Sequence, residues 1–323
     1  MSAEVPSAKR PRADVSGTSY DVTKSKYWFD DGNVILQAEN TQFRVHRSVL
    51  SNHSVVFRDM FTMPQPAPLD PLVDGCPVVS LSDKTADIGH VMSLFYENFK
   101  SHDMRDLMLF PHLAAILRIG KKYQIDHLQA EGLKRLRDEF PKDLDSWDVS
   151  FDKQVQLHYV ADNCENIINL AHEVSVETVL PVVYLSYLNT QDSEGFSEYS
   201  KKAPRLLNEK AAQACLKGRE RLIRKFLEIV KGWLVDPGII PAATCIRGPA
   251  CLNRKVEAIL KIPGMDFETL NILEPLSPLY TTLLCCNCIH ALIERYDEAR
   301  EDIWRDLPTY FDLPEWDELE DFA

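Results

Sequence analysis

The sequence predicts an α+β fold, in which a small sheet flanked by helices is followed by a mostly α-helical C-terminal region. Three observations support this prediction. A strand–turn–strand pattern with alternating apolar and polar side chains begins near residue 33. Helical spacing of apolar residues takes over directly afterwards, from residue 49 onward. Beyond Pro141 the apolar stripes are mostly helical.

The N-terminal elements follow in a regular order. Residues 33–38 and 42–45 form the two strands of a hairpin, because turn-forming residues lie between them. Two short helices come next, and Ser54 lies where the second one needs an N-cap. A proline-rich loop at 63–77 leads to a third predicted strand at 78–82.

Helices dominate the rest of the chain. The spacing predicts a helix at 88–96, which is capped within residues 83–87. It also predicts a helical pair at 110–123 and 127–140, and Asp126 is the predicted cap of the second helix. Ser175 is the predicted cap of a helix near residue 180. Three further helices are expected at 208–234, 252–261 and 278–307, the first with Leu216, Phe226 and Leu227 among its inward residues.

The run Phe43-Arg-Val-His46-Arg47 and the elements around it carry a family resemblance. Hairpin, helix pair, strand, helix and helix pair is the element order of a BTB/POZ domain, and residues 27–140 resemble that domain. The segment from Asp30 to Ala38 is most similar to the expanded BTB proteins of mushroom-forming (basidiomycete) fungi. The resemblance implies these signature positions of the fold: Phe43, His46, Val49, Leu50, Phe57 and Phe61. For His46 we expect a structural role, in which its imidazole ties the strand end to the helix start.

The resulting domain prediction has four parts. Residues 1–24 form a disordered N-terminal tail, because they are polar and charged and lack periodicity. Residues 25–141 form the BTB/POZ domain, residues 142–310 an α-helical C-terminal domain, and residues 311–323 an acidic tail.

Charge and motif content restrict the function. The net charge of −13 argues against direct nucleic-acid binding, which needs a basic face. No apolar run is long enough for a membrane span, and the start has no signal-peptide core, so we expect an intracellular protein without membrane partners, in the nucleus or the cytoplasm.

The basic cluster Lys9, Arg10 and Arg12 is either a nuclear-import signal or an ordinary charged tail. The sequence contains no phosphate-binding glycine loop, nucleophile elbow or His-Glu-x-x-His motif, and the prediction is a non-enzymatic protein.

Four cysteines leave two interpretations open. Cys245 and Cys251 are six residues apart, and Cys285 and Cys288 have the Cys-x2-Cys spacing, which a predicted helix would present on one face. Two such pairs complete a tetrahedral structural zinc site, for which His290 is an alternative ligand. Otherwise the chain has no cofactor, and these cysteines are small buried hydrophobic residues.

The resemblance also implies protein partners. In BTB domains that dimerise, an Asp at the start of the first strand faces a basic residue just after the His; here Arg47 occupies the basic position, and Asn33 stands where the Asp is expected. A homodimer surface at Asn33 and Arg47 is therefore one interpretation, and a solvated Arg47 is the other. BTB adaptors of cullin-type ubiquitin ligases offer the helix near 88–96 and a following helical pair, for which residues 154–188 are the candidate. Three hypotheses result: an oligomerising or scaffold module, an adaptor that binds a cullin, and a nuclear transcription-associated regulator.

Overall fold

The computed structural model describes residues 22–63, 72–97, 109–152, 163–190, 207–265, 270–276 and 283–322. The chain divides into two compact units, Met1–Asp106 and Leu107–Ala323. The first unit contains a sheet with helices, and the second is helical over most of its described residues, which confirms the predicted fold class. The division lies inside the segment 25–141 that the sequence assigns to one domain, and the four-part domain scheme stays a prediction.

Four strands form the sheet of the first unit: β1 (Thr23–Trp28), β2 (Val34–Ala38), β3 (Thr41–Val45) and β4 (Val78–Leu81). Their spatial order is β1-β3-β2-β4. Strands β2 and β3 are the predicted antiparallel hairpin, whereas β1 joins β3 and β4 joins β2 in parallel. The hairpin carries the core of this unit, because Val34, Ile35 and Leu36 are fully buried in β2.

Strand β1 was not predicted, and its edge position explains why. Lys24 and Lys26 point to solvent and bind Asp74 and Glu97, with nitrogen–oxygen distances of 3.0 and 2.7 Å. Charged residues are tolerated on an edge strand, so the composition resembles that of a tail. Residues 23 and 24 belong to this strand, although the sequence places them in the tail; residues 1–21, which include the basic cluster at 9–12, lie outside the described residues.

Three helices complete the described part of the first unit: α1 (Arg47–His53), α2 (Val55–Thr62) and α3 (Thr85–Tyr96). The predicted cap of α2 is confirmed, because the Ser54 hydroxyl accepts the Phe57 N–H at 3.0 Å. Helix α3 begins three residues earlier than predicted. Its first residue, Thr85, is held by the Glu39 carboxylate and by the Ala38 carbonyl, which the sequence pattern does not reveal.

The second unit contains nine described helices: α4 (Phe110–Tyr123), α5 (Asp126–Glu139), α6 (Leu144–Asp152), α7 (Cys164–Val174), α8 (Leu180–Thr190), α9 (Glu209–Val235), α10 (Pro249–Ile259), α11 (Cys286–Arg305) and α12 (Leu307–Tyr310). None of the described helices combines the length and the apolar character that crossing a membrane requires.

Two predicted caps are wrong. Asp126 is the first residue of α5 and not its cap, because the preceding Ile125 folds back and donates its N–H to the Gly120 carbonyl at 2.9 Å. Ser175 does not cap α8. It ends α7 in a left-handed conformation, with a φ of 53°, and its N–H closes onto Ala171.

The buried face of α9 is rotated from the predicted one. Leu216 and Leu227 were expected inward but are exposed, whereas Phe226 is buried as expected. Small residues form much of the true inner face, which consists of Ala211, Ala214, Cys215, Gly218, Leu222, Phe226, Val230 and Trp233. The spacing of the large apolar residues therefore predicted the wrong buried face for α9. A helix that packs closely has Ala, Gly and Cys where its neighbours approach.

The C-terminal segment 311–322 packs into the second unit despite its acidic composition. Phe311 is almost fully buried against Gly218, where an added Cβ would lie 2.3 Å from the ring. The Asp321 carboxylate accepts the Thr178 N–H at 3.0 Å and the Thr178 hydroxyl at 2.7 Å, and it pairs with Arg137 at 2.8 Å.

Candidate functional site

His46 lies at the junction of β3 and α1, where its ring is half-buried. Its backbone N–H donates to the Tyr96 hydroxyl at 3.1 Å, and its Nδ1 lies 3.3 Å from the same oxygen. On the other side, Nε2 lies 3.2 Å from the exposed Asp31 carboxylate, and this hydrogen bond is the main reason that the pKa of Asp31 is lowered. Phe29 stacks on Tyr96, with ring centroids 4.5 Å apart. These contacts join the strand end to α3 and use both imidazole nitrogens, which supports the expected structural role.

The other signature positions divide into two groups. Phe43, Leu50 and Phe57 are buried in the core of the first unit. Val49 and Phe61 are only half-buried. Phe61 stacks against Phe57, with ring centroids 5.9 Å apart, so one of its faces extends the core while the rest remains available at the surface.

Asn33, Arg47 and Phe61 lie together and are called the Arg47 patch below. The Asn33 side-chain oxygen accepts the backbone N–H of Arg47 at 2.8 Å, which satisfies one of the free N–H groups at the start of α1. The Arg47 guanidinium lies 5.5 Å from the centre of the Phe61 ring. Within the described residues, Arg47 has no carboxylate partner, and its buried Nε has no hydrogen-bond acceptor.

The four cysteines singled out in the sequence converge in the second unit. Cys245 lies in the loop before α10, and Cys251 is the third residue of α10. Cys285 immediately precedes α11, and Cys288 is the third residue of that helix. All four Sγ atoms lie within 4.8 Å of one another, and all but Cys245 are buried. The group, called the cysteine cluster below, could therefore hold a metal ion.

Two details of the cysteine cluster differ from the sequence prediction. Of the expected helix at 278–307, residues 278–282 lie outside the described residues, and α11 begins at Cys286. The Cys-x2-Cys pair therefore spans a helix start and does not share a helix face. The extended backbone at Cys285 turns its thiol toward the others. His290 does not take part: its side chain is 76% exposed, and it pairs with Glu294 at 3.3 Å.

Backbone N–H groups face the sulfur atoms of the cysteine cluster. Ala242 donates to Cys288, and Cys285 donates to Cys251, both with nitrogen–sulfur distances of 3.4 Å. Hydrogen bonds from the backbone of Cys288 and Ile246 lower the pKa of Cys285 to about 6. Burial has the opposite effect on Cys288 and raises its pKa to about 12. The backbone N–H groups therefore stabilise the thiolate form of Cys285, whereas burial favours the neutral thiol of Cys288.

The comparisons with known proteins give one family. Residues 28–138 match the family model described as the BTB/POZ domain. No curated protein matches the chain. The match covers the hairpin, α1 to α3, β4 and the predicted helical pair α4 and α5, and it includes His46 and the Arg47 patch. BTB/POZ domains are protein–protein interaction modules. Residues 28–138 of this chain therefore form a BTB/POZ domain, an interaction module that is followed along the chain by a helical C-terminal region.

Proposed function

We propose that this protein is a non-enzymatic oligomerising or scaffold protein, whose BTB/POZ domain forms a homodimer through the Arg47 patch. One observation carries the proposal: Arg47 is half-buried over Phe61, and its Nε lacks an acceptor among the described residues. A buried donor without a partner costs about 1–3 kcal/mol. The Arg47 side chain can escape this cost by turning its guanidinium toward an acceptor at the surface, and a carboxylate on a second molecule would supply one.

The chemistry of the Arg47 patch suits an interface centre. Arginine and large aromatic residues are enriched at the energetic centres of protein interfaces. In a two-fold dimer the same patch appears on both molecules, so each contact occurs twice. Asn33 is exposed and neutral, and its oxygen is already used within the chain, which leaves the positive charge of Arg47 for the second copy.

Asp30 supplies the acceptor in this proposal. It is exposed in the loop between β1 and β2, close to Asn33 in the sequence, whereas the neighbouring Asp31 is held by His46 of its own chain. Two reciprocal Arg47–Asp30 pairs would replace the pair that the family pattern forms with an Asp at position 33. Charge-assisted bonds of this kind favour one relative orientation of two molecules.

Light scattering on the full chain tests the dimer surface. We expect the wild-type protein to have the molar mass of a dimer at micromolar concentration and Arg47→Glu to have that of a monomer. The double variant Arg47→Glu, Asp30→Arg should regain the dimer, because the charges are exchanged on both copies. Arg58→Glu is the matched control, since Arg58 is exposed on α2, and it should remain dimeric. A monomeric wild-type chain, or an Arg47→Glu variant that stays dimeric, would contradict the proposal.

A substrate adaptor of a cullin-type ubiquitin ligase is the second candidate function. Helices α7 and α8 pack against each other after the BTB/POZ match, where the sequence predicts an adaptor extension at 154–188. Residues 154–162 of that extension lie outside the described residues, and α8 is buried along most of its length, so α7 would present the contact surface. Affinity purification of the full chain distinguishes this role: a cullin in the bound set supports it, and its absence argues against it.

A role as a nuclear transcription-associated regulator depends on Lys9, Arg10 and Arg12. These residues lie outside the described residues, so only their basic character supports import. Imaging of the full chain with all three changed to Ala tests this role. An unchanged distribution between nucleus and cytoplasm would remove its support.

A metal ion in the cysteine cluster would have a structural part in any of these functions, because four thiolate ligands leave no open position for catalysis.

A further inference from the structure

We propose that Cys245, Cys251, Cys285 and Cys288 bind one zinc ion as a structural tetrathiolate site that holds the second unit together. This inference is independent of the dimer surface, since all four residues lie in Leu107–Ala323. No position of the BTB/POZ match takes part in the site.

The distances fit a single ion. A zinc–sulfur bond of about 2.3 Å in a regular tetrahedron places the sulfur atoms about 3.8 Å apart. Cys245 and Cys285 already lie 3.7 Å apart, and the longest separation in the group is within 4.8 Å. Rotation of the cysteine side chains would shorten the longer sulfur–sulfur separations to the value expected for zinc. A multi-iron cluster requires more widely spaced thiolates, because bridging sulfide ions and several irons lie between them.

The protein environment compensates the charge of such a site. Zinc with four thiolates carries two net negative charges. Helices α10 and α11 both begin at the cluster, and each contributes its third residue, Cys251 and Cys288. The positive ends of two helix dipoles therefore face the sulfur atoms. The N–H groups of Ala242 and Cys285 add hydrogen bonds to two of the thiolates.

Ordinary packing of buried cysteines explains the arrangement less well. Cys164 and Cys215 are also buried in the second unit, yet neither belongs to a group of three or more ligands in the described part of the chain. The cysteine cluster instead brings together two segments that are distant in sequence: the stretch from Cys245 to Cys251 at the start of α10, and the stretch from Cys285 to Cys288 at the start of α11. A metal ion would join these segments in the way that structural zinc sites do.

Metal analysis of the full chain, purified without chelators or a metal-binding tag, tests the proposal. We expect one zinc ion per chain, retained on dialysis. Cys288→Ser should lose the zinc and melt at a lower temperature. Cys215→Ser is the matched control, because it also introduces a hydroxyl at a buried cysteine of the same unit, and it should keep the zinc. Wild-type protein with clearly less than one zinc per chain, iron in place of zinc, or full zinc retention by Cys288→Ser would overturn the inference.

A second measurement covers the case in which Cys288→Ser does not fold. A mercurial reagent that titrates the thiols of the wild-type chain should release the zinc ion, detected with a metal-sensitive dye. Protein reloaded with Co²⁺ should then show the strong visible bands of tetrahedral cobalt and thiolate-to-cobalt charge transfer in the near ultraviolet. A pale octahedral spectrum, or binding of Co²⁺ that does not involve thiolates, would contradict a tetrathiolate site.

Discussion

Gly218 and Phe311 illustrate how one missing side chain determines a packing contact. A Cβ on Gly218 would lie 2.3 Å from the Phe311 ring, so Gly218→Ala forces the ring or the helix to move. We expect a loss of about 1–3 kcal/mol in the free energy of unfolding, measured by denaturant titration. Gly232→Ala is the control, because it lies on the same helix with open space around it. Gly232→Ala should leave the free energy of unfolding unchanged or raise it by about 0.5–1 kcal/mol. Equal effects of the two substitutions would contradict the packing argument.

Glu139 gives a pH-dependent prediction. Burial raises its pKa from about 4.5 to about 7, so the folded protein binds this proton more tightly than the unfolded chain does. Its contribution to stability is fully present below the unfolded pKa and is lost as the pH rises toward 7. Since the group is partly exposed, we expect Glu139→Gln to be more stable than wild type by about 1–2 kcal/mol at pH 8 and equal to it at pH 4. Unfolding curves at both pH values check this, with the exposed Glu220→Gln as control; a gain that does not depend on pH would contradict the explanation.

At the scale of elements, the C-terminal segment depends on Asp321. Its carboxylate satisfies both the N–H and the hydroxyl of buried Thr178 and pairs with Arg137. Asp321→Ala leaves these donors without an acceptor, and we expect a loss of about 2–4 kcal/mol in the free energy of unfolding. Asp317→Ala, an exposed change in the same segment, should have little effect. If both variants melt at the wild-type temperature, the segment does not stabilise the unit.

Elements with strong periodicity could be predicted from the sequence, and others could not. The hairpin, the Ser54 cap and the pair α4 and α5 follow from local patterns. Strand β1 was missed because an edge strand tolerates lysines, and the inner face of α9 was misplaced because small residues form it. The spacing of the cysteines indicated a candidate metal site. Their convergence across the forty residues between Cys245 and Cys285 depends on tertiary packing, which no local pattern contains.

At the scale of the whole molecule, the two proposals concern different units. The first unit carries the Arg47 patch, and the second unit carries the cysteine cluster. The two proposals can therefore fail independently: loss of zinc should lower the stability of the second unit and leave Arg47 in place, whereas Arg47→Glu should abolish the dimer and leave the zinc bound.

Hydrogen exchange of the full chain at high and low protein concentration tests the central claim most directly, because it locates the assembly surface. We predict that dilution removes protection from peptides that span Asp30 to Phe61, while peptides from α7 to α9 exchange at the same rate at both concentrations. Concentration-dependent protection confined to Leu107–Ala323, or protection that is the same at both concentrations throughout the chain, would contradict assembly through the Arg47 patch.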